Sequence, residues 1–135
     1  MREVIFLPKS KYEEKVYEVL KEMFPYLSIA REHPLCIEGE KCEKKYKRMK
    51  IDFFIKELNL AIEVDGEHHF QRIEYESYEK SQSDFERRIV LDNLKEQKIY
   101  ENGWGLIRFS YKELKSKNWK ELVKNRILEY VKEED

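Results

Sequence analysis

Two carboxylates stand inside otherwise apolar stretches: Asp52 in Ile51-Asp52-Phe53-Phe54-Ile55, and Glu63 in Leu60-Ala61-Ile62-Glu63-Val64-Asp65. Charges in such surroundings are costly unless a cation offsets them. Hard divalent ions take oxygen ligands and are commonly held by one or two carboxylates, waters and a substrate phosphate. Asp52, Glu63 and the backbone carbonyl of Val64 are therefore the candidate metal ligands, for Mg²⁺ or Mn²⁺, with Asp65 as a third acid. Gly66 and His69 follow at once. Histidine titrates near neutrality, so His69 is the candidate general acid or base, and His68 beside it is the lesser choice. Metal with a proton-transfer group is what hydrolysis of a phosphodiester requires.

Segments 51–55 and 60–65 have the composition and length of two strands joined by a tight turn near Glu57-Leu58-Asn59. Strand alternation predicts Leu60, Ile62 and Val64 on one face, and Ala61, Glu63 and Asp65 on the other. It likewise sets Ile51, Phe53 and Ile55 opposite Asp52, so that three acids project to one side. Upstream, Ser10 and Glu13 have the spacing of a capping box, and Val16, Tyr17, Leu20, Met23 and Phe24 repeat at helical spacing until Pro25. Residues 27–32 suit a short strand broken by His33-Pro34. Downstream, 71–83 is polar and aperiodic and reads as a loop. A helix is expected from Phe85 to about Tyr100, a strand from Trp104 to Phe109, and a helix from Trp119 to Val131. That order predicts a small central mixed β-sheet flanked by helices, an α/β fold filling residues 1–135 as one domain.

Composition narrows the class. Of the 135 residues, 41% are hydrophobic and 41% charged, with a net charge of −1. No apolar run approaches the ~20 residues of a membrane span, and no secretory signal opens the chain, so a cytoplasmic protein is expected. The charge is uneven: Lys41–Lys50 holds six basic residues against one acid. Leading straight into Asp52, this run places Lys44, Lys45, Lys47, Arg48 and Lys50 as DNA-phosphate contacts, with Tyr46 among them as a base-stacking candidate. Trp104 and Trp119 are expected in the core. Cys36 and Cys42, near His33, raise the question of zinc. Their spacing exceeds that of most structural zinc sites, and free thiols are the expectation.

From Glu13 to Leu114 the chain resembles the PD-(D/E)XK endonuclease superfamily, and more narrowly the very-short-patch-repair (mismatch nicking) endonucleases and related small bacterial and phage domains. Asp52-Phe53, the run Leu60 to Gly66 followed by His69, Asp92-x-x-Lys95 ahead of Gly103-Trp104, and Leu106-Ile107-Arg108-Phe109 carry the likeness. Arg31-Glu32 falls where those domains often carry Arg and a polar partner. The resemblance implies further site residues. Glu13 on the first helix, preferred to Glu14, would orient metal-bound water. Asp92 would support His69 or a second metal, and Lys95 would contact the scissile phosphate. The superfamily's motif lysine is absent, its place taken by Asp65.

The expectation is thus a Mg²⁺-dependent DNA endonuclease, acting as a homodimer where paired nicks are made. Its rival is a non-catalytic or partner-dependent nucleic-acid-binding module. A small-molecule enzyme finds no Gly-rich phosphate loop here.

Overall fold

In a computed structural model the described residues are 8–66 and 78–134, with side chains described for 11–66 and 86–133. Four strands form one mixed sheet in the order β1 (Ile29–Pro34), β2 (Lys50–Ile55), β3 (Leu60–Asp65) and β4 (Gly105–Ser110). β1–β2 and β2–β3 are antiparallel, whereas β3 and β4 are parallel, with Leu60 opposite Gly105 and Asp65 opposite Ser110. The parallel pair needs a long crossover, and the chain between them carries α2 (Tyr78–Glu101). Helix α1 (Pro8–Met23) precedes the sheet, and α3 (Tyr111–Lys115) and α4 (Trp119–Glu134) follow it. The expected α/β class is the observed one.

Two apolar layers hold the sheet. Val16, Val19 and Leu20 of α1 and Val123 and Ile127 of α4 pack on Phe53, Ile55, Leu60, Ile62, Val64 and Phe109. On the other face Ile99 of α2 joins Leu35, Tyr46, Ile51, Phe54 and Ala61, with Trp104 and Leu106 at the margin. Trp119 packs against the first layer, so both tryptophans are core aromatics as expected.

Several boundaries move. Helix α1 opens at Pro8, a residue suited to a first helical turn, so Ser10 and Glu13 lie inside the helix rather than at its cap. His33 and Pro34 extend β1 instead of breaking it: Pro34 is level with Lys50 on an edge strand, where a missing N–H is tolerated. Residues 78–83 belong to α2 rather than to a loop, while 71–77 lie outside the described residues. Alternation also fails once along β2: Phe53 and Ile55 enter one layer, but Ile51 enters the other with Phe54. The register to β3 runs from Ile55↔Leu60 to Phe53↔Ile62. Beyond it, side chains take over from the ladder and the strand turns over at Asp52.

Candidate metal centre at the sheet end

Asp52 sits at a double irregularity. On its β1 side, Arg31↔Phe53 and His33↔Ile51 are paired, so Glu32 is level with Asp52. Glu32 adopts a left-handed backbone, φ 52°, a conformation non-glycine residues seldom take. On its β3 side, the Asp52 N–H donates to Glu63 Oε2 at 3.4 Å, and Asp52 Oδ2 accepts from the Val64 N–H at 2.8 Å. Glu63 is in turn level with Arg108 of β4. Glu32, Asp52, Glu63 and Arg108 thus form one row across all four strands.

Burial makes that row electrostatically demanding. Asp52 and Glu63 are each only 3% exposed and Glu13 9%. Carboxylate oxygens of Glu13, Glu32 and Asp52 all lie within 4.8 Å of one another. Glu63 is pushed up to about 8, first by burial and then by the neighbouring Asp52, with Lys95 opposing. Lys95 reaches across from α2 to form an ion pair with Glu63 Oε1. Asp65 is held differently. Arg108 Nη1 binds Asp65 Oδ1 at 3.1 Å, and Arg108 Nε binds Glu96 Oε1 of α2 at 3.4 Å. Burial alone would lower the Arg108 guanidinium, but Asp65, Glu96, Glu63 and Asp92 outweigh it and raise its pKa.

The expected acids therefore assemble, though not on one flat face. The oxygens within 4.8 Å of one another are those of Asp52, Glu13 and Glu32, while Glu63 meets Asp52 at the latter's N–H. Val64 contributes its N–H to Asp52 and its side chain to the core. Glu63 is also paired with Lys95, while Asp65 is a partner of Arg108. Glu13 is the inward acid of α1; Glu14 is 57% exposed and pairs with Arg31 at 2.7 Å. That arginine lies over the rings of Tyr17 and Phe53, 4.4 Å and 5.4 Å from their centroids, and also approaches Glu13 at 3.8 Å. Asp92 is half-buried on α2 and contributes to the field at Arg108. His68 and His69 lie outside the described residues.

Two contributors were not placed in the site by their sequence context. Glu32 was visible only as the polar neighbour of Arg31; though exposed, it reaches the oxygens of Glu13 and Asp52 from a left-handed backbone that no local pattern signals. Arg108 had a signal: it is the lone charge in the otherwise apolar strand Gly105-Leu106-Ile107-Arg108-Phe109, where a charge needs a partner.

The basic run forms a short 3-10 turn, Lys44–Tyr46, entering β2. Lys44, Lys45, Lys47, Arg48 and Lys50 include exposed side chains beside the start of that strand. Tyr46 is not available for stacking on a base: it is 4% exposed, packed in the α2-side layer and covered by Lys45 and Lys98. Cys36 and Cys42 are not free thiols but are joined to each other, with Cα atoms 5.8 Å apart. The chain folds back here because the Leu35 N–H bonds Met49 O and buried Leu35 anchors the turn.

Compared with family models, with curated proteins and with solved structures, the chain matches none.

Proposed function

We propose that the protein is a metal-dependent DNA endonuclease of the PD-(D/E)XK kind. One observation carries the reading: buried Asp52 shares its position with three further acids, Glu13, Glu32 and Glu63, at the sheet end where β2 leaves the ladder. Glu13, Asp52 and Glu63 are buried, with Lys95 on Glu63 and Arg31 3.8 Å from Glu13 as the neighbouring cations; a bound metal ion would add to these in offsetting the cluster. An all-oxygen donor set fits Mg²⁺ or Mn²⁺ better than softer ions. Glu13, Glu32 and Asp52 would hold the ion. When bound, it supplies a nucleophilic water and neutralises charge building on the phosphate.

The chain's own groups have separable tasks in this account. Asp52, locked by the Val64 N–H, fixes the centre to the sheet. Lys95 lies where it can exchange Glu63 for a phosphate oxygen. His69, three residues beyond Gly66, is assigned the proton transfer. A cytoplasmic location belongs to the same reading. No helix among the described residues is long and apolar enough to cross a membrane.

The alternative, a module that binds nucleic acid without cutting it, is favoured by one feature: Glu63 is already occupied by its contact with Lys95. Incubation with supercoiled, mismatched, flapped and four-way DNA in Mg²⁺ or Mn²⁺ separates the two. Cleavage of at least one substrate is expected. Binding to all with cleavage of none would establish the module instead.

A further inference from the structure

The same sheet end is flanked by a second basic segment. β3 and β4 run parallel and finish side by side at Asp65 and Ser110. β2 runs the opposite way, so its first residues lie at that end also. Whatever enters β2 or leaves β4 must border the acids. The run from Lys44 to Lys50 enters β2 on one side. On the other, Ser110 caps α3 in a reciprocal capping box with Glu113, and the chain continues through Lys112, Lys115, Lys117, Lys120 and Lys124 against only Glu113 and Glu121.

These lysines do not all have the same partners. Lys120 and Lys124 pair with Glu22 of α1 at 3.1 and 3.3 Å. Glu113 is taken by Arg126, which holds its carboxyl below the usual range. Lys115 lies over the Tyr111 ring, 5.2 Å from its centroid. Lys112 and Lys117 are exposed, and neither has a carboxylate partner among the described residues. Helix α3 is seated against the turn of α1 that carries Glu13. The rings of Tyr111 and Tyr12 are 6.3 Å apart, and Lys15 Nζ donates to Leu114 O at 2.9 Å.

We propose that Lys112 and Lys117, with Lys115 between them, form a second phosphate-binding flank. A DNA duplex would then be held on both sides of the acids. β2 and β4 are separated by two strand spacings, roughly 10 Å, and lysine side chains extend that span outward. With one phosphate per ~3.4 Å of each strand, the track from Lys44–Lys50 to Lys112–Lys117 covers about three to six phosphates. This placement rests on the nuclease reading for the position of the scissile bond, but the binding itself does not need cleavage.

The test is binding of a fluorescent 20-base-pair duplex by the full chain in EDTA, at several salt concentrations. K112Q/K117Q is compared with K56Q/K132Q, which removes the same charge at the far end. Lys56 follows β2 there, and Tyr130, near Lys132, bonds Leu58 O. Each lost contact lowers the slope of log K against log salt by about 0.9. The first pair should therefore flatten it by about two and weaken binding at ~0.1 M salt by about ten- to sixtyfold. The second pair should leave both unchanged. Equal effects from the two pairs, or no duplex binding by the unaltered protein, would overturn the proposal. If the slope changes as expected but no substrate is ever cut, only the nuclease reading falls. If cutting is intact and the two pairs behave alike, only this flank falls.

Discussion

Replacing Asp52 with Asn should make the metal-free protein more stable at pH 8. The Val64 N–H keeps an acceptor, because the asparagine carbonyl can take the place of Oδ2. What is lost is a buried negative charge beside Glu63, Glu13 and Glu32. Glu63 rises from 4.5 to about 8, a preference for its neutral form worth about 5 kcal/mol at about 1.4 kcal/mol per pH unit. Burial is the larger cause and Asp52 the second, so removing Asp52 relieves only the smaller part of that preference. At pH 8, where Glu63 is about half ionised, D52N should therefore raise the melting temperature in EDTA by about 2–5 °C, and by more at pH 9. At pH 6 Glu63 carries its proton and the gain should largely vanish. Mg²⁺ should then stabilise the unaltered protein and leave D52N nearly unmoved, since ligand linkage requires the site. A D52N protein that is less stable than its parent at pH 8 in EDTA would refute the argument that mutual repulsion dominates this cluster.

Further outcomes follow from neighbouring contacts. A carboxyl raised in the folded state retains a proton that the unfolded chain releases between pH 4.5 and about 8. Its contribution to stability is therefore full below that window and is lost as pH rises through it, at up to about 1.4 kcal/mol per pH unit. Urea midpoints in EDTA should show the fall, and E63Q should remove it. K95Q takes the cation from Glu63; calorimetric titration with Mn²⁺ should show severalfold tighter binding while cleavage drops about 10²-fold, and weaker binding would assign Lys95 to organising the site. Gly105→Ala would bring a Cβ within 2.4 Å of the Tyr130 ring. Displacing that ring and its bond to Leu58 O should cost about 1–3 kcal/mol by denaturant melt, with cleavage by the folded fraction unchanged.

The strands carrying Asp52 and Glu63 were legible because each is a short apolar run closed by turn residues, and β3 spans the predicted segment without change. Helix α4 likewise follows its ladder of Leu122, Val123 and Ile127. What periodicity could not reveal is where a ladder is interrupted. Alternation assigned Ile51 and Phe53 to one face, but at Asp52 the ladder gives way to bonds from the Asp52 N–H to Glu63 Oε2 and from the Val64 N–H to Asp52 Oδ2, and Ile51 lies in the opposite layer. Glu32 enters the site through a left-handed backbone that no local spacing encodes, whereas Lys95, expected from Asp92-x-x-Lys95, contacts Glu63 across a tertiary gap. Tyr46 shows the converse error. Surrounded by lysines in sequence it reads as exposed, yet in three dimensions the lysine stems cover an aromatic ring that belongs to the core.

A metal held by Glu13, Glu32 and Asp52, with Glu63 beside it, is proposed to cut DNA. Nicking of supercoiled plasmid by the unaltered chain, D52N and E63Q, each melted beforehand to verify folding, tests it most directly. Relaxed or linear plasmid is expected with Mg²⁺ or Mn²⁺, none in EDTA, and at least a hundredfold loss in both variants. Cleavage that persists undiminished in folded D52N and E63Q would contradict it.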